Sequence, residues 1–209
     1  MPRLTRPESQ AQTRADLIAT ARDLFLTNGY SKTTLDEVAD AAGYSKGAVY
    51  SNFKNKKVLC LEVLDLIHTT KFGEISELLV KDQPLDKRLD DFQAWAEKTL
   101  GDPGWTMLEF EFAVVARDDA ELHAQLIAVL ALVRGMVVTI LETTTASMNL
   151  VLPIPVEDAA SSLLSLGIGL GIQRAIDPSI SARLITDGLR MLLSYAALHG
   201  ENQQMDKAR

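Results

Sequence analysis

Residues 34–57 read TLDEVADAAGYSKGAVYSNFKNKK. Thr34 stands before an apolar-periodic stretch and Glu37 follows three residues later, a capping box that marks a helix start. Leu35, Val38, Ala39 and Ala42 share one face of that helix. Gly43 then supplies the tight turn, because glycine reaches left-handed backbone angles without steric cost. Ser45 is placed to cap a second short helix over 46–53, with Val49 and Phe53 facing inward. Lys56 opens a further helix. Two short helices joined by a tight turn, near one end of the chain and followed by basic residues, are the layout of a helix-turn-helix nucleic-acid reader.

The residue types fit that layout chemically. A helix entering the major groove needs a thin N-terminal end with donors that reach base edges and phosphates. Gly47 and Ala48 keep that end thin, and Lys46 is long enough for a guanine edge or a phosphate. Ser45 and Ser51 can bond a base or backbone oxygen. Tyr50 can lay its ring on a sugar or thymine methyl and donate to a phosphate. Lys56 sits at a helix N-terminus, where backbone amides also favour an anion, and Thr33 and Thr34 are similarly placed at the preceding helix start.

The wider pattern FLTNGYSKTTLDEVADAAGYSKGAVYSNFKNKKVL at 25–59 resembles the DNA-binding domain of the TetR (tetracycline repressor) family. The likeness covers about 13–63. It is carried by Phe25, Gly29, Tyr30, Thr34, Ala39, Gly43, Ser45, Gly47, Tyr50, Phe53 and Lys56. The resemblance implies a cytoplasmic homodimeric regulator, mostly a repressor, that binds a palindromic operator with this domain and a small inducer with the rest. It implies DNA contacts at Lys46, Gly47 and Tyr50, phosphate contacts at Thr34 and Lys56, and a minor-groove reach for Arg3 and Arg6.

Charge supports a division of labour. The chain has 209 residues and a net charge of −7. Residues 1–57 hold nine Lys/Arg against six Asp/Glu, a balance of +3, and the remainder holds 12 against 22, a balance of −10. A basic head on an acidic body can bind DNA through the head alone. We therefore expect a DNA-binding domain at 1–57 and a ligand-binding and dimerisation domain at 58–209.

The lone cysteine, Cys60, excludes a disulfide framework and fits a reducing cytoplasm. The polar start MPRLTRPESQ lacks the apolar core of a secretory signal. The longest uncharged apolar run, 159–173, is shorter than the roughly 20 residues of a spanning helix, so no membrane partner is expected.

Strand signals are nearly absent and helical spacing recurs, so the expected fold is all-α with about nine helices. After an arm at 1–9, helices are expected over about 11–28, 35–42, 46–53, 56–79, 85–100, 105–117, 120–147, 156–176 and 182–198. The turn 101–104 and the pairs Gln83-Pro84 and Asp177-Pro178 separate the later ones.

In the body, the helix at 156–176 is apolar on nearly every side and carries Gly167, Gly169 and Gly171. Glycine costs about 1 kcal/mol in a helix interior, which close helix approach can offset. Leu163, Leu166, Gly167, Leu170 and Gly171, with Leu189, Leu192, Leu193 and Ala196 of the last helix, are the expected dimer interface. Trp95, Trp105, Leu108, Glu109, Phe112, Val133, Met136 and Val137 are the candidate lining of a pocket for an apolar or aromatic inducer. Glu109 lies on the aromatic face, either recognising a ligand or pairing with Arg117 or Arg134.

His68, His123 and His199 lack partners at metal-ligand spacing, so neither metal nor cofactor is expected. No P-loop, nucleophile elbow or dinucleotide fingerprint occurs. A helical enzyme using Glu109, Glu111 and His123, or a ligand-binding protein without a DNA target, is the rival class. It leaves 34–57 unexplained, so the expectation is a regulator and not an enzyme.

Overall fold

The computed structural model describes residues 5–207, with side chains described to Leu198. Among the described residues there are nine α-helices and no strand. They are α1 (Arg6–Asn28), α2 (Leu35–Ala42), α3 (Lys46–Asn52), α4 (Lys56–Val80), α5 (Leu85–Thr99), α6 (Pro103–Ala116), α7 (Ala120–Ser147), α8 (Val156–Ile176) and α9 (Arg183–Lys207). The protein is all-α, as the helical periodicity requires.

The start of the chain differs from the expectation. In place of an arm to residue 9, Thr5 caps α1, with its backbone amide donating to Glu8 at 2.7 Å and Pro7 within the first turn. Thr5-Arg6-Pro7-Glu8 is a second capping box, and proline is tolerated there because first-turn amides have no helical acceptor. Arg6 is therefore helical, while Arg3 lies outside the described residues. At the other end α9 continues past Leu198 to Lys207.

Two compact units form, residues 1–69 with 103–127, and residues 70–102 with 128–209. The first packs Leu17, Phe25, Val38, Val49, Phe53, Leu59, Leu64, Leu108 and Phe112 into one core. The helix-turn-helix thus shares its core with α6, and Phe112 meets the Tyr30 ring edge-on at 5.6 Å between centroids. The second unit packs Leu79, Leu89, Phe92, Ile140, Leu141, Leu170, Leu189 and Leu193. This division by packing is separate from the division by role placed at residue 57.

The absence of spanning segments needs correcting. By length and composition alone, α7 and α8 could each cross a membrane. The uncharged-run criterion passed over α7 because Arg134 interrupts it. Both helices place residues in the core of the second unit, among them Ile140, Leu141, Ala159 and Leu170.

Candidate nucleic-acid interface and body sites

The reading surface is built from caps. Thr34 donates to Glu37 Oε2 (3.0 Å) and accepts the Glu37 amide (3.2 Å), which fixes the start of α2. Gly43 ends it at φ 73°. Ser45 Oγ accepts the Ala48 amide at 3.2 Å, fixing α3. With Val49 and Phe53 fully buried, the opposite face of α3 is turned outward, and Tyr50 stands 57% exposed there.

Lys46 is exposed and donates to Asp36 Oδ2 at 2.6 Å. That carboxylate raises the lysine's proton affinity and keeps the ammonium charged. An exposed pair of this kind is readily exchanged for a phosphate or base edge. Gly47 is exposed, and a Cβ there would meet only Ser45 Oγ, at 3.8 Å, so the helix end is thin. Ser51 donates to Ala48 O at 2.9 Å.

Two of the candidate DNA contacts are turned inward. Thr33 is buried and donates its hydroxyl to Gly29 O at 2.9 Å. Lys56 donates to Tyr30 O and Thr33 O, both at 2.9 Å, with its ammonium 4.2 Å from the Tyr30 ring centroid. These groups clamp the corner between α1 and α2. Arg14 does similar work beneath α3, bonding Asn52 O and Glu62 and lying over the Phe53 ring. Sequence reasoning missed the clamps of Lys56 and Arg14 because their hydrogen-bond partners lie 23 to 48 residues away in the chain.

α6 ties into the same corner. Glu111 Oε2 accepts the Ser31 amide (3.0 Å) and hydroxyl (3.3 Å), and Lys57 donates to Asp119 at 2.6 Å. Glu109 pairs with neither Arg117 nor Arg134. Its Oε1 accepts from His68 Nε2 (2.6 Å) and from the Trp105 indole (2.9 Å), while Arg117 turns to Asp118. Glu109 and Glu111 are thus both held by structural partners, and His123 is exposed.

The expected pocket residues divide between the units. Leu108 and Phe112 are core residues of the first, beside Trp105 and Glu109. In the second, Trp95 stacks on Phe92 (5.8 Å between centroids) and donates to Glu74 at 2.7 Å. Val133 is buried, and Met136 and Val137 are half-buried.

The expected dimer residues also divide. Leu170, Gly171, Leu189, Leu193 and Ala196 are buried within their own protomer, so they have no surface to offer a partner. Leu163, Gly167 and Leu192 are half-buried, and Leu166 is exposed. The outward large apolar residues of α8 and α9 among the described residues are Leu166, Ile168, Ile176, Leu184, Met191, Tyr195 and Leu198.

A capped helix-turn-helix with a thin, cationic recognition helix on an all-α scaffold defines the class of helical DNA-binding regulators. Residues 17–63 match the family described as bacterial regulatory proteins, tetR family. Over those residues the head is similar to the TetR family.

Full-length comparison agrees in fold. The solved Thermus thermophilus FadR, described as a TetR-family transcriptional repressor in complex with lauroyl-CoA, superposes with a TM-score of 0.61 at 22% identity, covering 86% of this chain and 93% of that one. Salmonella enterica GusR gives 0.66 at 20% identity, covering 92% and 100%. The chain is 41% identical over 70 residues to the HTH-type transcriptional regulator TtgR of Pseudomonas putida, covering 34% of this chain and 33% of that one. Over 89 residues it is 33% identical to the HTH-type transcriptional repressor KstR2 of Mycolicibacterium smegmatis, covering 42% and 43%. The chain thus spans about a third to two fifths of the length of these curated relatives. They are named as transcriptional regulators and not as enzymes.

Proposed function

We propose that this protein is a one-component transcription regulator of the cytoplasm, a repressor that binds a palindromic operator as a homodimer. A small molecule in 58–209 releases it. The observation that carries the reading is the outward face of α3. Tyr50 is 57% exposed beside the exposed Lys46, on a helix whose other side is fully buried. An aromatic and a cation presented together by a rigid helix suit a groove, and nothing in the core requires them.

Dimerisation is supported by a seam on α9. Leu184, Gly188, Met191, Tyr195 and Leu198 recur at intervals of four and three, the spacing by which one helix packs along another. Gly188 adjoins Leu166 of α8, where an added Cβ would lie 3.4 Å from that side chain. A two-fold dimer would present two copies of α3 to half-sites about one helical turn apart.

Release follows from continuity of the chain. α4 contributes residues to both units. A ligand that prefers one setting of α4 shifts the population toward it, and the two heads then fit the half-site spacing less well.

The test is selection of duplexes from a random pool by the full chain. A palindrome with half-sites about 10 base pairs apart is expected. Tyr50→Ala should weaken binding to it by about tenfold or more while leaving the protein folded and dimeric. Absence of a consensus, or unchanged affinity in Y50A, would overturn the reading.

A further inference from the structure

The second unit buries two guanidinium groups in opposite surroundings. Arg174 is fully provided for. It donates to Leu100 O (2.8 Å), Glu97 O (2.9 Å) and Ile180 O, and it pairs with the Glu97 carboxylate at 2.9 Å. Arg88 is equally buried, at 8% exposure. Its Nη1 donates to Leu79 O (3.0 Å) and Ser147 Oγ (3.3 Å). No carboxylate among the described residues pairs with it. The acids of its own helix are engaged elsewhere, Asp86 by Arg190 (2.9 Å) and Asp91 by Lys87 (2.5 Å).

The bonds Arg88 does make explain where it sits. Leu79 is in the last turn of α4 and Ser147 is the last residue of α7. Helix C-termini carry partial negative charge, so they attract the Nη1 side of the group. The other edge is left over. Nε is buried without a hydrogen-bond partner among the described residues, and the two hydrogen bonds above both run through Nη1. Nε and Nη2 together form the planar fork that takes a carboxylate side-on with two parallel hydrogen bonds. A buried charge left half-bonded is costly unless an anion completes it.

A second irregularity lies one helical turn away. Thr139, Thr143, Thr145 and Ser147 of α7 each donate to a preceding carbonyl, at 2.7–3.1 Å. That is the usual way a helix satisfies a hydroxyl. Thr144 does not. It is 1% exposed, and its hydroxyl has no partner. Thr144 and Ser147 are three residues apart and so share a face of α7, and Ser147 on that face accepts from Arg88.

We propose that Arg88, Thr144 and Ser147 form an anion-binding end of the effector site and take the carboxylate of a small molecule with an apolar body. One buried guanidinium balances a singly charged carboxylate, whereas a phosphate dianion would leave excess charge in the interior. Ser147 is exposed at the end of α7, and Val151 and Ile154 offer exposed apolar surface in the loop that follows. This assignment deepens the reading of the body as a ligand-binding domain and rests on it.

The experiment measures binding of two acid–alcohol pairs, decanoate with decanol and 2-naphthoate with 2-naphthol, to the full-length dimer by calorimetry. Decyl phosphate is included, and operator retention is followed in parallel. At least one acid should bind about tenfold or more tightly than its alcohol, the worth of a charge-assisted hydrogen bond. Arg88→Gln should abolish that preference. Because R88Q also loses the charge that caps two helices, Thr144→Val serves as the second variant. It removes a hydroxyl that bonds to nothing, so it should fold as the parent does while weakening the acid severalfold.

Equal affinity for each acid and its alcohol, preferred binding of decyl phosphate, or unchanged acid binding in T144V would each overturn the assignment. Selective acid binding that leaves the operator occupied would uphold the anion site and remove the regulatory reading. Operator release by a neutral ligand, with no preference for an acid, would do the reverse.

Discussion

Gly101 shows how one position can be dictated from far along the chain. Its φ is +84°, and a Cβ placed there would lie 2.3 Å from Arg174 Cβ and 3.0 Å from the Arg174 carbonyl carbon. Those are backbone and near-backbone atoms of a residue locked by Glu97, Leu100 and Ile180, so they cannot retreat. Gly101→Ala should therefore destabilise the protein by about 2–4 kcal/mol, through left-handed strain and collision together. For a chain of this size the thermal midpoint should fall by roughly 4–16 °C. A melting curve within a degree or two of the parent's would refute the close approach. The turn at 101–104 is legible in its Gly-Asp-Pro-Gly composition, but the requirement for glycine comes from Arg174 and is not. Thr33 and Thr34 make the same point. Adjacent threonines look equivalent in the sequence, yet one caps α2 at the surface and the other spends its hydroxyl inside on Gly29. Arg88 is a third case, because the carbonyl and hydroxyl it bonds to belong to other helices.

At the scale of the helix, α9 carries two interleaved apolar stripes. Leu189, Leu193 and Ala196 point into their own core. The seam of Leu184, Gly188, Met191, Tyr195 and Leu198 lies on another arc, with Met191 72% and Leu184 55% exposed. Periodicity finds the helix and its apolar residues, but a helix apolar on most sides does not reveal which arc faces its own subunit. That is why the sequence reading mixed inward and outward residues when it assigned the interface. Helix ends were easier to read. The cap residues Thr34, Gly43 and Ser45 act locally, so their chemistry is written within four residues. The box at Thr5 and Glu8 is equally local, although residues 1–9 were expected to form an arm. If the α9 seam is the interface, Met191→Glu places a charge against its partner's copy across the two-fold axis, where it would be desolvated and repelled. M191E should elute as a monomer with an unchanged helical spectrum, and operator affinity should fall by about tenfold or more as the two heads lose their linkage. A variant that remains dimeric by light scattering would move the interface elsewhere.

Across the whole molecule, the charge asymmetry sets how strongly salt should oppose DNA binding. The balance of +3 in residues 1–57 overstates the cations available for phosphates. Arg14 is committed to Glu62 and Asn52 O, Lys56 to two backbone carbonyls, Lys57 to Asp119 and Arg22 to Asp23. Arg6, Lys32 and Lys54 are exposed and make no ion pair among the described residues, and Lys46 can exchange Asp36 for DNA. That leaves about four cations per head, and about eight in the proposed dimer. Each phosphate neutralised contributes about −0.9 to the slope of log K against log salt, so the operator complex should show a slope of about −7. The acidic body adds repulsion but no counterion release, so it should lower the affinity without steepening the slope. A slope beyond about −11 would mean that the clamps at Arg14, Lys56 and Lys57 open on binding, and with them the corner that positions α2 and α3. A slope shallower than about −3 would mean that the head makes too few phosphate contacts for a dimeric reader, and the surface that meets DNA would have to be sought elsewhere on the molecule.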